Sequence, residues 1–412
     1  MTIQTPVRAP AQSLFPPTRA AALERLAAFV PQAGRAYAEW RNTDSGPGAA
    51  SAVSRLSPYI RHRLLAEEEV VSAVLARHSL QAAEKYVQEV LWRTYWKGWL
   101  EMRPQVWTRY LAQREADQAA LRNPIMLAAA QSGATGIEGF DDWARELLAT
   151  GYLHNHARMW FASIWIFTLR LPWTLGADFF LRHLLDADAA SNTLSWRWVA
   201  GLQTPGKTYL ATADNIARYT KGRFAPAGLA TEAEALTEEP LGKPQALPRR
   251  ETPDPDAPAL LLVTPEDMWP EWLSRSETNG GRPTFAGALV VDDDTLVWGS
   301  RARRFAVDAA TDCARAIAAD AGLAVEQAAR LDAATLLAAA RAAGARQIVT
   351  PYAPIGQVAA ALERLAPALA AEGIALRRPR RAWDETFWPH ATKGFFPFKE
   401  RIPEGLRALG IG

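Results

Sequence analysis

The first 224 residues contain no convincing run of alternating apolar and polar side chains, which confines this half of the chain to helices. Its apolar residues recur at helical spacing instead. Leu23, Leu26, Phe29 and Val30 share a face within residues 17–41, which read as two short helices. Asn42–Ala50 is a small-residue loop containing Gly46, Pro47 and Gly48. Helical periodicity returns at Glu67–Ala76 and at Ala82–Leu100, where Tyr86, Val87, Val90 and Leu91 form a stripe, and again at Phe140, Trp143 and Leu147. Residues 154–169 are apolar nearly all round, as in a helix inside a domain, and Gly176–Leu185 is a further helix. Ala225–Ala257 holds several prolines, mixed charges and no periodicity, and reads as a linker. Beyond it the period changes. Ala259–Val263, Ala288–Val291, Gln347–Thr350 and Ile374–Leu376 are short runs of strand length. Ala-rich helices at Asp308–Ala321, Ala333–Ala343 and Val358–Ala371 alternate with them. That alternation predicts a parallel, doubly wound sheet. The expected architecture is an all-α domain over 1–224, a linker over 225–257 and a smaller, Rossmann-like α/β domain over 258–412.

Bulk composition excludes several classes. Cys313 is the only cysteine of 412 residues, so there is no intramolecular disulfide framework and the chain suits a reducing, cytoplasmic setting. The start of the chain has no apolar core of signal-peptide length, and the run Met159–Leu169, bounded by Arg158 and Arg170, is too short to span a bilayer. The net charge is only +2, with basic residues in excess in the helical half and acidic ones beyond it. This is compatible with a phosphate-bearing partner and is weak evidence for one. The 16 tryptophans are more unusual, because most lie between Trp92 and Trp198.

Four local patterns carry chemistry. Ser54-Arg-Leu-Ser57-Pro-Tyr59 follows a Gly/Ala/Ser loop; hydroxyls and free N–H groups there suit either phosphate oxygens or a plain helix cap. In Glu89-Val-Leu-Trp92-Arg93 a carboxylate and a large aromatic share a helix face, suited to gripping a flat polar ligand or to an ordinary half-buried surface. Gly151-Tyr-Leu-His154-Asn155-His156-Ala-Arg158-Met159 leads into the apolar helix; a guanidinium buried there needs an anionic or polar partner. His154 and His156 lack the further ligands of a zinc site. Asp186-Ala187-Asp188 precedes Ser191-Asn192-Thr-Leu-Ser-Trp196-Arg-Trp198. The two acids diverge on a regular helix, so a turn is required if both are to face one site, and either acid is a natural partner for Arg158.

As an ordered set, SRLSPY, EVLWR, TGYLHNHARM and DADAASNTLSWRW resemble the FAD-binding domain of the photolyase/cryptochrome family, over roughly residues 18–224. The resemblance implies bound FAD. Tyr37, Tyr86 and the segment Val53, Ser54, Arg55, Leu56 and Ser57 would hold its phosphate side. Asn155, Arg158, Asp186, Ala187 and Asp188 would surround its rings, with Arg158 paired to Asp186. Asn192 would sit near the flavin N5. Trp196 and Trp173 match the first two members of the family's electron-transfer chain, and Trp107 and Trp143 are candidates for the third. Glu89, Trp92, Met159 and Trp198 match positions that face an extruded pyrimidine dimer in dimer photolyases.

Two departures stand out. After Trp198 the family's long DNA-facing segment is replaced by the short run Thr208–Phe224. The α/β domain follows the helical one, whereas the family has it first. Arg346–Thr350 with the Pro-Tyr-Ala-Pro after it, Gly373-Ile374 and Thr392–Lys399 resemble the latter part of the family's antenna domain, as in a circular permutation. The implied function is light-driven repair of cyclobutane pyrimidine dimers in UV-damaged DNA, with a cryptochrome-like photoreceptor as the alternative. An antenna chromophore of unknown identity is a further implied cofactor.

Overall fold

A computed structural model describes residues 14–49, 51–270 and 283–412. The helical unit opens with α1 (Arg19–Phe29), α2 (Arg35–Trp40), α3 (Ser57–Arg61) and α4 (Glu67–Leu75). Ala22, Leu26 and Phe29 of α1 face inward, whereas Leu23, expected on that face, is exposed. The axis of the unit is α5 (Leu80–Glu101). Ser79 accepts from Ala82 N–H at its start, and every residue from Thr94 to Glu101 is buried. Around it stand α6 (Gln105–Ala119), α7 (Pro124–Ser132), α8 (Phe140–Thr150), α9 (Asn155–Ser163), α10 (Trp173–His183), α11 (Ala189–Val199) and α12 (Ala213–Tyr219). A π-helical turn, Ile164–Thr168, extends α9. No strand is present before residue 225 among the described residues.

Five strands form the second unit: β1 (Ala259–Val263), β2 (Phe285–Val291), β3 (Val325–Ala328), β4 (Gln347–Val349) and β5 (Ala375–Arg377). Their order is β3-β2-β1-β4-β5, with every pairing parallel. α13 (Ser300–Ala321), α14 (Ala333–Ala342) and α15 (Gln357–Ala371) make the crossovers. Strand alternation explains why β1 is apolar throughout. Leu261 and Val263 join the core shared with α13 and the helical unit, while Leu260 and Leu262 join a second core under α14 and α15.

Two regions depart from expectation. Residues 225–257 form no helix or strand, yet they are docked and not loose. Ala230 N–H donates to Thr168 Oγ1 at 3.0 Å, Leu236 N–H to Ala200 O at 3.0 Å and Gln245 N–H to Met102 O at 2.9 Å. Glu238 takes both arms of Arg197. Prolines and missing periodicity signal irregular backbone; they do not measure how tightly it is held. The described chain then runs through α16 (Ala382–Phe387), α17 (Phe395–Lys399) and α18 (Ile402–Ala408); α16 and α17 return to pack on α5, and α18 packs on α16. Gly98 of α5 makes room for them, since a Cβ there would stand 2.8 Å from the Trp388 ring and 2.9 Å from its Cα.

In doubly wound sheets the crevice at the carboxyl ends of the central strands, where the order reverses, is the usual ligand site. Here the helical unit fills it. Past β1, Glu266 accepts from Arg61 at 2.6 Å and Lys97 at 3.2 Å, and Asp267 pairs with Arg63 and Arg381, each at 3.3 Å. Past β4, Glu101 accepts from Ile355 N–H at 2.7 Å and the Tyr352 hydroxyl at 2.8 Å. The remaining cavity is about 10 Å³, room for one water.

Burial pushes the Glu101 carboxyl up to about 7, with the Ile355 and Tyr352 donors restraining the rise. The folded state therefore binds this proton more tightly than the unfolded chain. The associated stability is full below the ordinary glutamate range near 4.5 and is lost as pH rises through about 7. Glu146 is raised similarly, so the measurement must be a difference. Urea unfolding at pH 5 and pH 8 is expected to show Glu101→Gln gaining stability relative to the unsubstituted protein at the higher pH.

Candidate functional site

The site is built where α9, α5 and the turn between α10 and α11 converge. α10 ends at His183, and Leu184–Asp188 run without helical geometry before α11 begins. That break lets Asp186 and Asp188 face the same region. Arg158 donates to both Asp186 carboxylate oxygens, at 3.0 and 2.8 Å, and its Nε donates to Leu153 O at 2.9 Å. Asp188 caps α11 by accepting from Ser191 N–H at 2.7 Å and is ion-paired to Arg93. Arg93 also donates to Asp186 O at 3.3 Å, so that two acids and two guanidiniums are joined in one run of contacts. Burial acts to raise both acids. Arg158 outweighs it at Asp186, and Arg93, Lys97 and Arg61 outweigh it at Asp188, so both carboxyls are held below the ordinary range.

Next to these ion pairs lies Val53–Ser57. Arg55 adopts the left-handed backbone region, φ +53°, which is costly for a side chain with a Cβ and lets the segment turn sharply. Its guanidinium stands 6.0 Å from the centroid of Tyr152, a ring that Arg158 approaches at 5.5 Å. Val53, Ser54, Arg55 and Ser57 are half-buried, and Leu56 is buried. The wall behind them is aromatic. Tyr86 meets Tyr37 edge-on at 5.0 Å and Phe29 at 4.7 Å.

The buried Arg55 Nε has no hydrogen-bond partner among the described residues, and the Tyr86 hydroxyl lies beside Ser54. A buried donor left unpaired is costly, and an anionic, oxygen-rich ligand at Val53–Ser57 satisfies it. The donor set fits a dinucleotide cofactor: an unpaired N–H and hydroxyls on a segment without acids, then a fixed set of ion pairs.

Other expected residues are placed as follows. Asn192 is buried and donates to Ala177 O at 2.9 Å. Trp196 is buried against Gly176, where a Cβ would stand 2.3 Å from its ring. Trp173 is half-buried, 5.6 Å from Tyr110. Glu89 is exposed, yet surrounding protein raises its carboxyl, against the pull of Arg41 and Lys85. Met159 is half-buried. Trp92 is stacked on Phe395 of α17 at 3.6 Å and 11°, and Trp198 on Tyr209 at 5.6 Å and 27°. Asn155, expected in a buried segment, is exposed, because the first turn of α9 looks outward and burial becomes continuous only from Trp160. Three contributors carry no role that their local sequence assigns. Arg93 stands in its motif without an evident partner, Tyr152 lies inside another motif, and Phe395 reaches Trp92 from more than 300 positions along the chain.

The family described as the FAD binding domain of DNA photolyase matches residues 86–223, inside the helical unit. The deoxyribodipyrimidine photo-lyase of Salmonella typhimurium is 30% identical over 225 residues, covering 51% of this chain and 44% of that protein. That of Thermus thermophilus is 34% identical over 206 residues, 50% of this chain and 48% of its own. This chain thus matches about half the length of these curated relatives. A solved class III photolyase from Agrobacterium tumefaciens aligns with a TM-score of 0.43 at 26% identity, covering 50% of this chain and 43% of that one. A Synechocystis cryptochrome gives 0.42 at 23%, also covering 50% and 43%. The family match and the curated relatives bear out the family resemblance for about half the chain.

Asp186→Asn removes the charge that Arg158 pairs with while keeping the side-chain shape. Leaving a largely buried guanidinium without its counter-charge is expected to cost about 3 kcal/mol, read as a lowered urea midpoint at pH 7. An unchanged midpoint would show that the pair contributes nothing to the fold.

Proposed function

We propose, for a chain whose helical half is a photolyase-type FAD-binding domain, that it holds FAD and uses blue light to split cyclobutane pyrimidine dimers in DNA. The observation that carries this reading is the buried run of ion pairs Arg158–Asp186 and Arg93–Asp188, linked through Asp186 O, beside the unpaired Arg55 Nε. Tyr37, Tyr86 and Val53–Ser57 would hold the phosphates. Arg158, Asp186, Ala187 and Asp188 would position the rings, with Asn155 at the outer rim and Asn192 near N5. FAD itself supplies light absorption and one-electron chemistry. The protein's part is orientation and charge. The two ion pairs fix a polar wall that does not reorganise as charge moves. Trp196 and Trp173 would supply electrons when the cofactor is photoreduced.

Dimer cleavage is supported by the names of the curated relatives and by Glu89. Glu89 is exposed, with a carboxyl that the surrounding protein raises from the ordinary glutamate value, and it would offer a polar contact to a base. With Trp92, Met159 and Trp198 it would make up the face for the extruded lesion. Splitting is redox-neutral: one electron enters the dimer, two C–C bonds break, and the electron returns.

The stacking of Trp92 on Phe395 and of Trp198 on Tyr209 favours a second reading, a photoreceptor that photoreduces its flavin without repairing DNA. Each of those two rings has one face closed to a base. The filled crevice past β1 and β4 bears on the antenna question as well, since a second chromophore there would have to displace Glu101.

Purified protein is expected to show flavin absorption bands that bleach under blue light with a thiol reductant present, and Trp196→Phe to abolish the bleaching. Colourless protein, even after reconstitution with FAD, would overturn the cofactor assignment. Photoreduced protein illuminated with a dimer-containing oligonucleotide is expected to consume the dimers. If no dimer is lost but Phe395→Ala restores the loss, the closed Trp92 face accounts for the photoreceptor reading.

A further inference from the structure

Among Trp and Tyr side chains, the ring types oxidised readily enough to relay an electron, one continuous path leads away from Trp196. Trp196 meets Trp165 edge-on at 6.2 Å, but Trp165 is fully buried and its other ring neighbours are Phe161 and Phe179, so that branch ends. The Trp196 ring lies against Gly176, one turn from Trp173 on α10. From Trp173 the path continues to Tyr110 at 5.6 Å, and from Tyr110 to Trp107 at 5.3 Å and 29°. It then crosses between units, because Trp107 meets Trp298 at 5.7 Å and 76°. Trp143, the other sequence candidate for a third member, pairs with Trp160 and Phe224 and donates to Asp44, with no described ring contact to Trp173.

We propose that Tyr110 and Trp107 carry the oxidising equivalent on from Trp173, and that it comes to rest on Trp298 of the α/β unit. The inference rests on the flavin reading above. Three features assign the end point. The Tyr110 hydroxyl is buried with no hydrogen-bond partner among the described residues. A tyrosine yields its electron easily only when its proton can leave, so Tyr110 is a bridge and not a resting place. Trp107 is almost fully buried, and Trp298, half-buried, covers it. Trp298 is also rigidly placed: Gly299, at φ +72°, presses its backbone against Arg182 O at the end of α10, where a Cβ would stand 1.7 Å away. No other residue type fits there, so the strand-to-helix corner holds its indole on α6.

The electron count closes. One electron goes from Trp196 to the photoexcited flavin, and successive single-electron hops refill Trp196 from Trp173, Tyr110, Trp107 and finally Trp298. The Trp298 radical cation releases its indole N–H proton to water. An external thiol then returns one electron and one proton, and the thiyl radical it leaves pairs with a second one from another turnover to form disulfide.

The test is flash photolysis of the flavin-loaded full chain, following the tryptophan radical. Trp298→Phe is expected to lose the slowest-decaying radical, because the hole stops on Trp107 and recombines sooner. Trp298→Tyr is expected to restore a long-lived signal with tyrosyl character. Unchanged decay in Trp298→Phe, with a melting curve like that of the unsubstituted protein, overturns the proposal. A readout that needs no variant is peptide mass spectrometry after illumination in air: oxidised indole at Trp298 supports the relay, and oxidation confined to Trp107 or Trp173 refutes it. Failure of the underlying reading looks different. If Trp196→Phe leaves the radical yield intact, the flavin-to-Trp196 step is wrong; if it abolishes the radical while Trp298→Phe changes nothing, only the extension fails.

Discussion

A buried seam of charge on α3–α5 holds the two units in register. Arg61, Arg63 and Lys97 meet Glu266, Asp267 and Asp384 with almost no water between them, and Glu101 answers from the end of the same helix. Withdrawing so many charges from water is expensive, and the cost is offset only when each finds its counterpart. A small displacement of the sheet relative to α5 would strand several ions at once. The seam therefore specifies one relative placement more than it adds net stability. Arg93, four residues before Lys97 on α5, belongs to the neighbouring run of contacts with Asp188 and Asp186, so the cofactor wall and the domain junction share one helix.

Much of this was legible. The helical half and the parallel doubly wound sheet follow from periodicity, because each depends on side chains whose burial leaves a local pattern; charge complementarity offers Arg158 either Asp186 or Asp188, and only the family resemblance selects Asp186. What escaped has physical reasons. α6 presents only Val106, Trp107 and Tyr110 to the core, too few to make a stripe. β3, Val-Glu-Gln-Ala, is an edge strand without an apolar run. The helices after Ala382 are short and interrupted by prolines, and their burial depends on α5, hundreds of residues earlier. The Arg93–Asp188 pair is a long-range choice among several available cations, which spacing alone does not decide. Asn155 shows the opposite error: its helix is apolar, but a first turn can face outward while the next is enclosed.

The docking of the two units decides how the surfaces are shared. The site where a doubly wound sheet would receive a ligand receives protein carboxylates and their cationic partners instead, and the aromatic face beside the flavin wall receives Phe395. In both places groups of the same chain occupy the surface. The irregular stretch over residues 225–257 runs along the helical unit, pinned at Arg197 and Met102, before the sheet begins.

The return of Trp383, Trp388 and Phe395 to α5 also bears on how the protein is made. During translation the flank of that helix emerges about 300 residues before the aromatic rings that cover it. An aromatic groove is exposed throughout that interval, so this part of the helical unit completes its packing only after residues 383–395 have been made.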